Sequence, residues 1–169
     1  MPFDLQPTLT GSLVRLRPLR LEDKNILFSV ASDPMIWKQH PSFNRYKNEE
    51  FENFFYDAIE SRGALLVMNT QTDCAVGSSR YHGFSEENSE IEIGLTFLAR
   101  PYWGGKYNGE LKQLMLDHAF KSVKTVLFRI GSENIRSQKS VEKIGGVRDA
   151  DLDSKGNVVY RVTKSVLLR

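Results

Sequence analysis

The 169-residue sequence predicts one mixed α/β domain, a central sheet flanked by helices. Three observations carry that expectation. Period-two alternation recurs near the start, in the middle and at the end of the chain. Stretches with helical spacing interrupt it, and no repeat, low-complexity tract or linker divides residues 1–169. With 40% hydrophobic and 26% charged residues, a chain of this length can bury roughly 70% of its unfolded surface.

Residues 13–19 alternate apolar and basic side chains (Leu13, Arg15, Leu16, Arg17) and read as a half-buried strand, with Pro18 ending it or placing it at an edge. Ile26, Leu27, Val30 and Ala31 share a helix face over residues 22–32, which Asp33-Pro34 stops. An irregular aromatic stretch with Trp37 and His40 follows. A second helix is expected from Asn48 to Ser61, with Asn48 as its cap and Phe51, Phe54, Phe55, Ala58 and Ile59 facing inward.

Strands follow at 64–68, 75–82 and 90–98, separated by polar turns. The third has the cleanest alternation: Ile91, Ile93, Leu95 and Phe97 fall on one face, Glu90, Glu92, Gly94 and Thr96 on the other. A glycine-rich loop at 103–109 leads to a helix over about 108–122, whose apolar set is Tyr107, Leu111, Leu114, Met115 and His118. A short buried strand at 125–130, a helix at 133–144 closed by Gly145-Gly146, and a hairpin of 147–151 with 158–168 complete the chain.

Composition narrows the function. No apolar run approaches the roughly 18 residues of a spanning helix, and the first residues lack a basic segment followed by an apolar one, so a cytoplasmic protein without a membrane partner is expected. Cys74 stands alone, which leaves no disulfide framework or cysteine metal cluster and makes it a core or strand residue. The net charge of +2 argues against a nucleic-acid partner. That average hides a local excess, because residues 100–148 carry 10 basic against 4 acidic side chains. Such an excess suits a small polyanion if the charges share a face, or the solvent side of two helices if they do not.

The loop Trp103-Gly104-Gly105-Lys106-Tyr107-Asn108-Gly109 joins strand to helix through glycines and a lysine. Backbone N–H groups at a helix start converge on an anion, and missing Cβ atoms let it approach. The loop is not a Walker motif, since no Ser or Thr follows Lys106, and G-x-G-x-x-G does not occur.

With Glu92-Ile93-Gly94, Arg100-Pro101-Tyr102-Trp103-Gly104, Asn134-Ile135-Arg136-Ser137 and Glu142-Lys143-Ile144-Gly145-Gly146 in that order, the chain resembles the GCN5-related N-acetyltransferases, most closely the branch of ribosomal-protein N-terminal acetyltransferases. The resemblance implies that family's fold, a mostly antiparallel twisted sheet flanked by helices. It also implies transfer of an acetyl group from acetyl-CoA to a primary amine, either a protein N-terminus or a small molecule. It sets the pantetheine arm along Thr96, Phe97 and Leu98, and backbone N–H groups near Phe97 and Leu98 would hold the oxyanion. The pyrophosphate then lies on Trp103, Gly104, Gly105, Lys106, Tyr107, Asn108 and Gly109, Asn134 lies near the acetyl end, and Lys106, Arg100 or Arg136 meets the phosphates.

Two departures from the family pattern stand out. Lys106 occupies a position where the family has Gly, and Val141 one where many relatives have a Tyr that protonates the thiolate. A thiol with a pKa around 8.5 also leaves with a proton from solvent. Glu92 is the first candidate base for the ammonium, roughly 13 Å along the strand from Thr96 and acting through water. Glu90, His82 and His118 are the alternatives, and His40 is a further residue placed to touch substrate. Trp37 and Tyr81, with Phe43 and Tyr46, would flank the acceptor. The rival reading is a non-catalytic CoA-binding module. No metal site is expected, and the protein is a monomer or homodimer.

Overall fold

The computed structural model describes residues 3–164. Eight strands form one sheet: β1 (Leu9–Thr10), β2 (Val14–Pro18), β3 (Ala64–Asn69), β4 (Ala75–Ser85), β5 (Glu90–Leu98), β6 (Thr125–Gly131), β7 (Val147–Arg148) and β8 (Asn157–Thr163). Their order is β1-β2-β3-β4-β5-β6-β8-β7, and every neighbouring pair is antiparallel except β5 with β6. The helices are α1 (Lys24–Ala31), α2 (Asn48–Ser61), α3 (Lys106–Ala119) and α4 (Ile135–Lys143). This is the predicted fold class.

The two faces of the sheet bury separate cores. Leu65 and Val67 of β3 point to the side of α3, with Ile91, Ile93, Leu111, Met115 and Phe128. Leu66 and Met68 point to the side of α1 and α2, with Leu27, Phe51, Phe55 and Trp37. Because both faces are covered, β3 is a continuous apolar run without alternation.

β5 departs from the regular alternation. Its pairing with β4 slips between Ser78↔Phe97 and Arg80↔Gly94, so Leu95 and Thr96 together oppose Ser79. Leu95 has φ 54°, a left-handed conformation. This bulge turns the strand over: Ile91 and Ile93 lie in the α3-side core, but Phe97 lies in the α1/α2-side core against Trp37, and Leu98 returns to the first. A one-residue insertion exchanges faces for everything beyond it, so the expected single apolar face ends at the bulge.

Several local expectations also shift. Lys47 caps α2 and Asn48 is its first residue. α3 begins at Lys106, two positions before the expected start. The last hairpin has only Val147–Arg148 as its first arm, followed by a turn at Ala150–Leu152, and residues 165–168 of its second arm lie outside the described residues. Cys74 is exposed in the turn before β4, neither core nor strand. Among the described residues no helix is long and apolar enough to cross a membrane.

Candidate active site: a fork between two parallel strands

β5 and β6 pair from Glu90↔Thr125 to Glu92↔Leu127 and then part. β5 runs on to Leu98 and β6 to Gly131 with no ladder between them. The cleft that opens is about 350 Å³. Thr96, Phe97 and Leu98 line one wall, with Trp103, Gly104, Gly105, Asn108 and Gly109 at the mouth, while Asn134 and Arg136 close it from α4. Most of the residues predicted to hold the cofactor therefore meet in one place.

The mouth is built by backbone geometry. Gly104 and Gly105 take φ of 104° and 117°, a region that side chains with a Cβ rarely enter, and no atom lies within 4 Å of where either Cβ would stand. The glycines absorb the left-handed turn, so Lys106 enters the helix without a positive φ. The first intrahelical bond is Gly109 N–H to Gly105 O at 2.7 Å, so the preceding N–H groups of the first turn have no intrahelical partner. Such N–H groups, together with the helix dipole, are chemically suited to an anion, which makes the turn a candidate cradle.

Other predicted residues sit off the wall or are engaged by protein partners. Lys106 and Tyr107 do not line the cleft: Lys106 is exposed, and Tyr107 packs edge-on against Tyr102. Arg100 is tied to Asp33, Nε to Oδ2 2.5 Å. Arg136 stacks on Trp103, its guanidinium 3.7 Å from the ring centre, and donates to Ile36 O. Asn134 caps α4, its side-chain oxygen accepting from Ser137 N–H at 3.3 Å.

Trp37 and Tyr81, expected at the acceptor, are core residues. Trp37 is 2% exposed and its indole N–H donates to Ala31 O; Tyr81 is 1% exposed and its hydroxyl donates to Met115 O at 2.6 Å. Neither has surface to offer a ligand, because large aromatics beside two covered sheet faces are drawn into packing. Tyr81→Phe is expected to cost about 1 kcal/mol of stability, read as a lower urea midpoint, and to leave catalytic rates unchanged. A lost activity with unchanged stability would restore Tyr81 to the site.

Glu92 lies outside the cleft wall but touches it through a partner. Its carboxylate, 13% exposed, meets Arg129 Nε at 3.3 Å and His82 Nε2 at 3.9 Å, and Arg129 lines the cleft. Burial lowers the His82 pKa, an effect that Glu92 opposes. His118 is satisfied structurally, with Nε2 2.8 Å from Asp4 O.

His40, expected to touch substrate, does line the cleft, brought in by the loop after α1; it is pushed down to a pKa of about 4 by burial and by Arg45 and Arg136, so it is neutral at pH 7. The sequence does not reveal one further residue of the wall. Lys112 points from α3 into the cleft at 6% exposure. A lysine between the apolar positions of a helix gives no signal of burial; only the parting of the strands makes room for it.

One cleft thus joins a forked pair of parallel strands, a glycine turn at the start of α3 and the cationic side chains of Arg129, Arg136, Lys139 and Lys143. Residues 14–147 match the acetyltransferase (GNAT) domain family, and the chain belongs to it. The uncharacterized N-acetyltransferase p20 of Bacillus licheniformis is 27% identical over 96% of this chain and 97% of its own length. A GCN5-related N-acetyltransferase from Brucella melitensis superposes with a TM-score of 0.79 at 19% identity, over 95% of this chain and 80% of that one. Spermidine N-acetyltransferase from Vibrio cholerae, in complex with CoA and spermine, superposes at 0.70 and 17% identity, over 94% and 100%.

Proposed function

We propose that the protein transfers the acetyl group of acetyl-CoA to a primary amine, on a protein N-terminus or a small molecule, by direct attack on the thioester. The observation that carries this reading is the joining of two features in one cleft. One is the free edge of β5 beyond Glu92; the other is the cradle at the start of α3. An amide-bearing pantetheine arm fits an unpaired strand edge as another strand would, and a pyrophosphate fits converging N–H groups. Arg136, Lys139 and Lys143 line the same cleft and balance phosphate charge. Acetyl-CoA supplies an activated acyl group; the protein supplies position, charge and a path for protons.

The bulge at Leu95 and Thr96 interrupts the ladder to β4 where the reacting end of the arm would lie. Backbone N–H groups of residues 95–98 polarise the carbonyl there. Glu92, fixed by Arg129, accepts the ammonium's proton through water. Glu92→Gln is expected to lower the rate about 10- to 100-fold at pH 6 and much less at pH 9, where more of the amine is already free. An unchanged pH–rate profile would remove Glu92 from the mechanism.

The test combines calorimetry with acetyl-CoA and thiol release against a panel of peptides with free N-termini and small amines. Binding with turnover on one class names the acceptor. Binding without turnover on any amine favours the CoA-binding module, a reading to which Val141 in the cleft wall lends some weight. No binding contradicts both.

A further inference from the structure

Lys112 is a charged residue buried on the wall of the cleft. The residue is 6% exposed, and its ammonium donates to Asn108 Oδ1 at 3.0 Å. Asn108 is itself bonded to Ser140 of α4. The ammonium stands 5.9 Å from the centre of the Phe128 ring. Among the described residues that line the cleft there is no Asp or Glu. A buried ammonium without a carboxylate partner costs stability, and Leu or Met at this position would remove that cost.

Its place is specific. Phe128 follows Leu127, the last β6 residue paired to β5, and Ile93 follows Glu92, its partner. Both line the cleft with Lys112, so the ammonium sits at the apex where the strands part. Val141, which carries no proton, faces the same space.

We propose that the Lys112 ammonium donates the proton taken up by the departing thiolate in the acetyl transfer, an inference that rests on the function proposed above. The amine nitrogen forms a bond to the carbonyl carbon as the carbon–sulfur bond breaks. The sulfur keeps that electron pair and takes a proton from Lys112 Nζ, giving the thiol. The attacking ammonium loses its protons to Glu92 and water, and solvent reprotonates the neutral Lys112 amine.

Burial alone pushes Lys112 down to about 8, close to the thiol's ordinary 8.5, so the transfer is nearly balanced. The other ionisable groups on the cleft wall are His40, Arg129, Arg136, Lys139 and Lys143. On the elements packed against α3, Arg15 is paired with Asp73, Arg17 with Asp23, Glu90 with Arg161, Glu92 with Arg129 and Arg100 with Asp33. None of these contributes to the Lys112 shift.

The first part of the test needs no acceptor. The thiol of bound CoA is titrated by its thiolate absorbance in wild type and Lys112→Met, both first shown by calorimetry to bind CoA. The bound thiol is expected to ionise about one pH unit lower, or more, in wild type. Thermal melts should show the Met variant at least as stable at pH 7, since it loses a charge that is costly to bury. With any amine that turns over, Lys112→Met should lower kcat about 100-fold with little change in KM for acetyl-CoA. Lys112→Arg should keep the lowered thiol ionisation but not the rate. Equal thiol ionisation in wild type and Lys112→Met, or an unchanged kcat, overturns the proposal. An acetyl group found on Lys112 itself after incubation with acetyl-CoA would also overturn it, as the mark of a nucleophile. Failure of wild type to bind CoA overturns the proposed function as well. Normal wild-type binding and turnover with an indifferent Lys112 variant defeats this inference alone.

Discussion

Gly105→Val is expected to raise the dissociation constant for acetyl-CoA at least about 30-fold, near 2 kcal/mol of binding free energy. The position needs φ of 117°, which a β-branched residue takes only with strain of about 1–3 kcal/mol. The new side chain would also project into the open space of the cradle, where no protein atom now stands within 4 Å. Both effects strike the N–H groups that hold the anion. Lys106→Ala, at an exposed residue off the cleft wall, should change the constant by no more than about threefold. The contrast separates a cradle made of backbone from one made of a lysine charge. A large loss in Lys106→Ala with a silent Gly105→Val would reverse that assignment.

Glu110→Ala is expected to be the most damaging to stability, by about 3 kcal/mol, or a Tm lower by about 6–12 °C. The Glu110 carboxylate accepts from the N–H groups of Ser12, Leu13 and Val14 at 2.9, 2.7 and 2.8 Å and from the Ser12 hydroxyl at 2.8 Å. One side chain thus ties the start of β2 to α3, the helix whose first turn forms the cradle. Burial pushes its pKa up, but the bonds from Ser12, Val14 and Leu13 outweigh that and hold it below the ordinary value. A carboxylate lowered by folding stabilises the protein above its unfolded pKa, near 4.5, and the benefit disappears as pH falls through the folded value. The gap in Tm between wild type and Glu110→Ala should therefore be full at pH 7 and narrow steadily below about pH 4.5. A gap independent of pH would mean that the loss is one of packing.

The pattern of helices and strands was readable in the sequence because their signals are local. α2 runs from Asn48 to Ser61 and β5 from Glu90 to Leu98, as periodicity and turn chemistry suggest. The glycine loop was legible as a tight strand-to-helix turn for the same reason, since glycines between a strand and a helix have a local meaning. What escaped depends on distant partners. The bulge at Leu95 is invisible because Ile91, Ile93, Leu95 and Phe97 alternate without a break; only pairing with Ser79 and packing of Phe97 on Trp37 reveal the slip. Trp37 and Tyr81 looked available because sequence does not show that both faces of the sheet are covered. Lys112 belongs to a basic segment that suits the solvent side of a helix until the fork gives it a cavity, and nothing local to Glu110 shows that residues 12–14 lie against it.

The central claim is that the fork between β5 and β6 and the first turn of α3 together hold one acyl-CoA. Titration of the ¹⁵N-labelled protein with CoA, followed by amide chemical shifts, tests it most directly. Saturable shifts should concentrate at residues 93–98 and 104–109, with smaller ones near Asn134 and Arg136. No response to millimolar CoA, or shifts confined to the hairpin of β7 and β8, would contradict it.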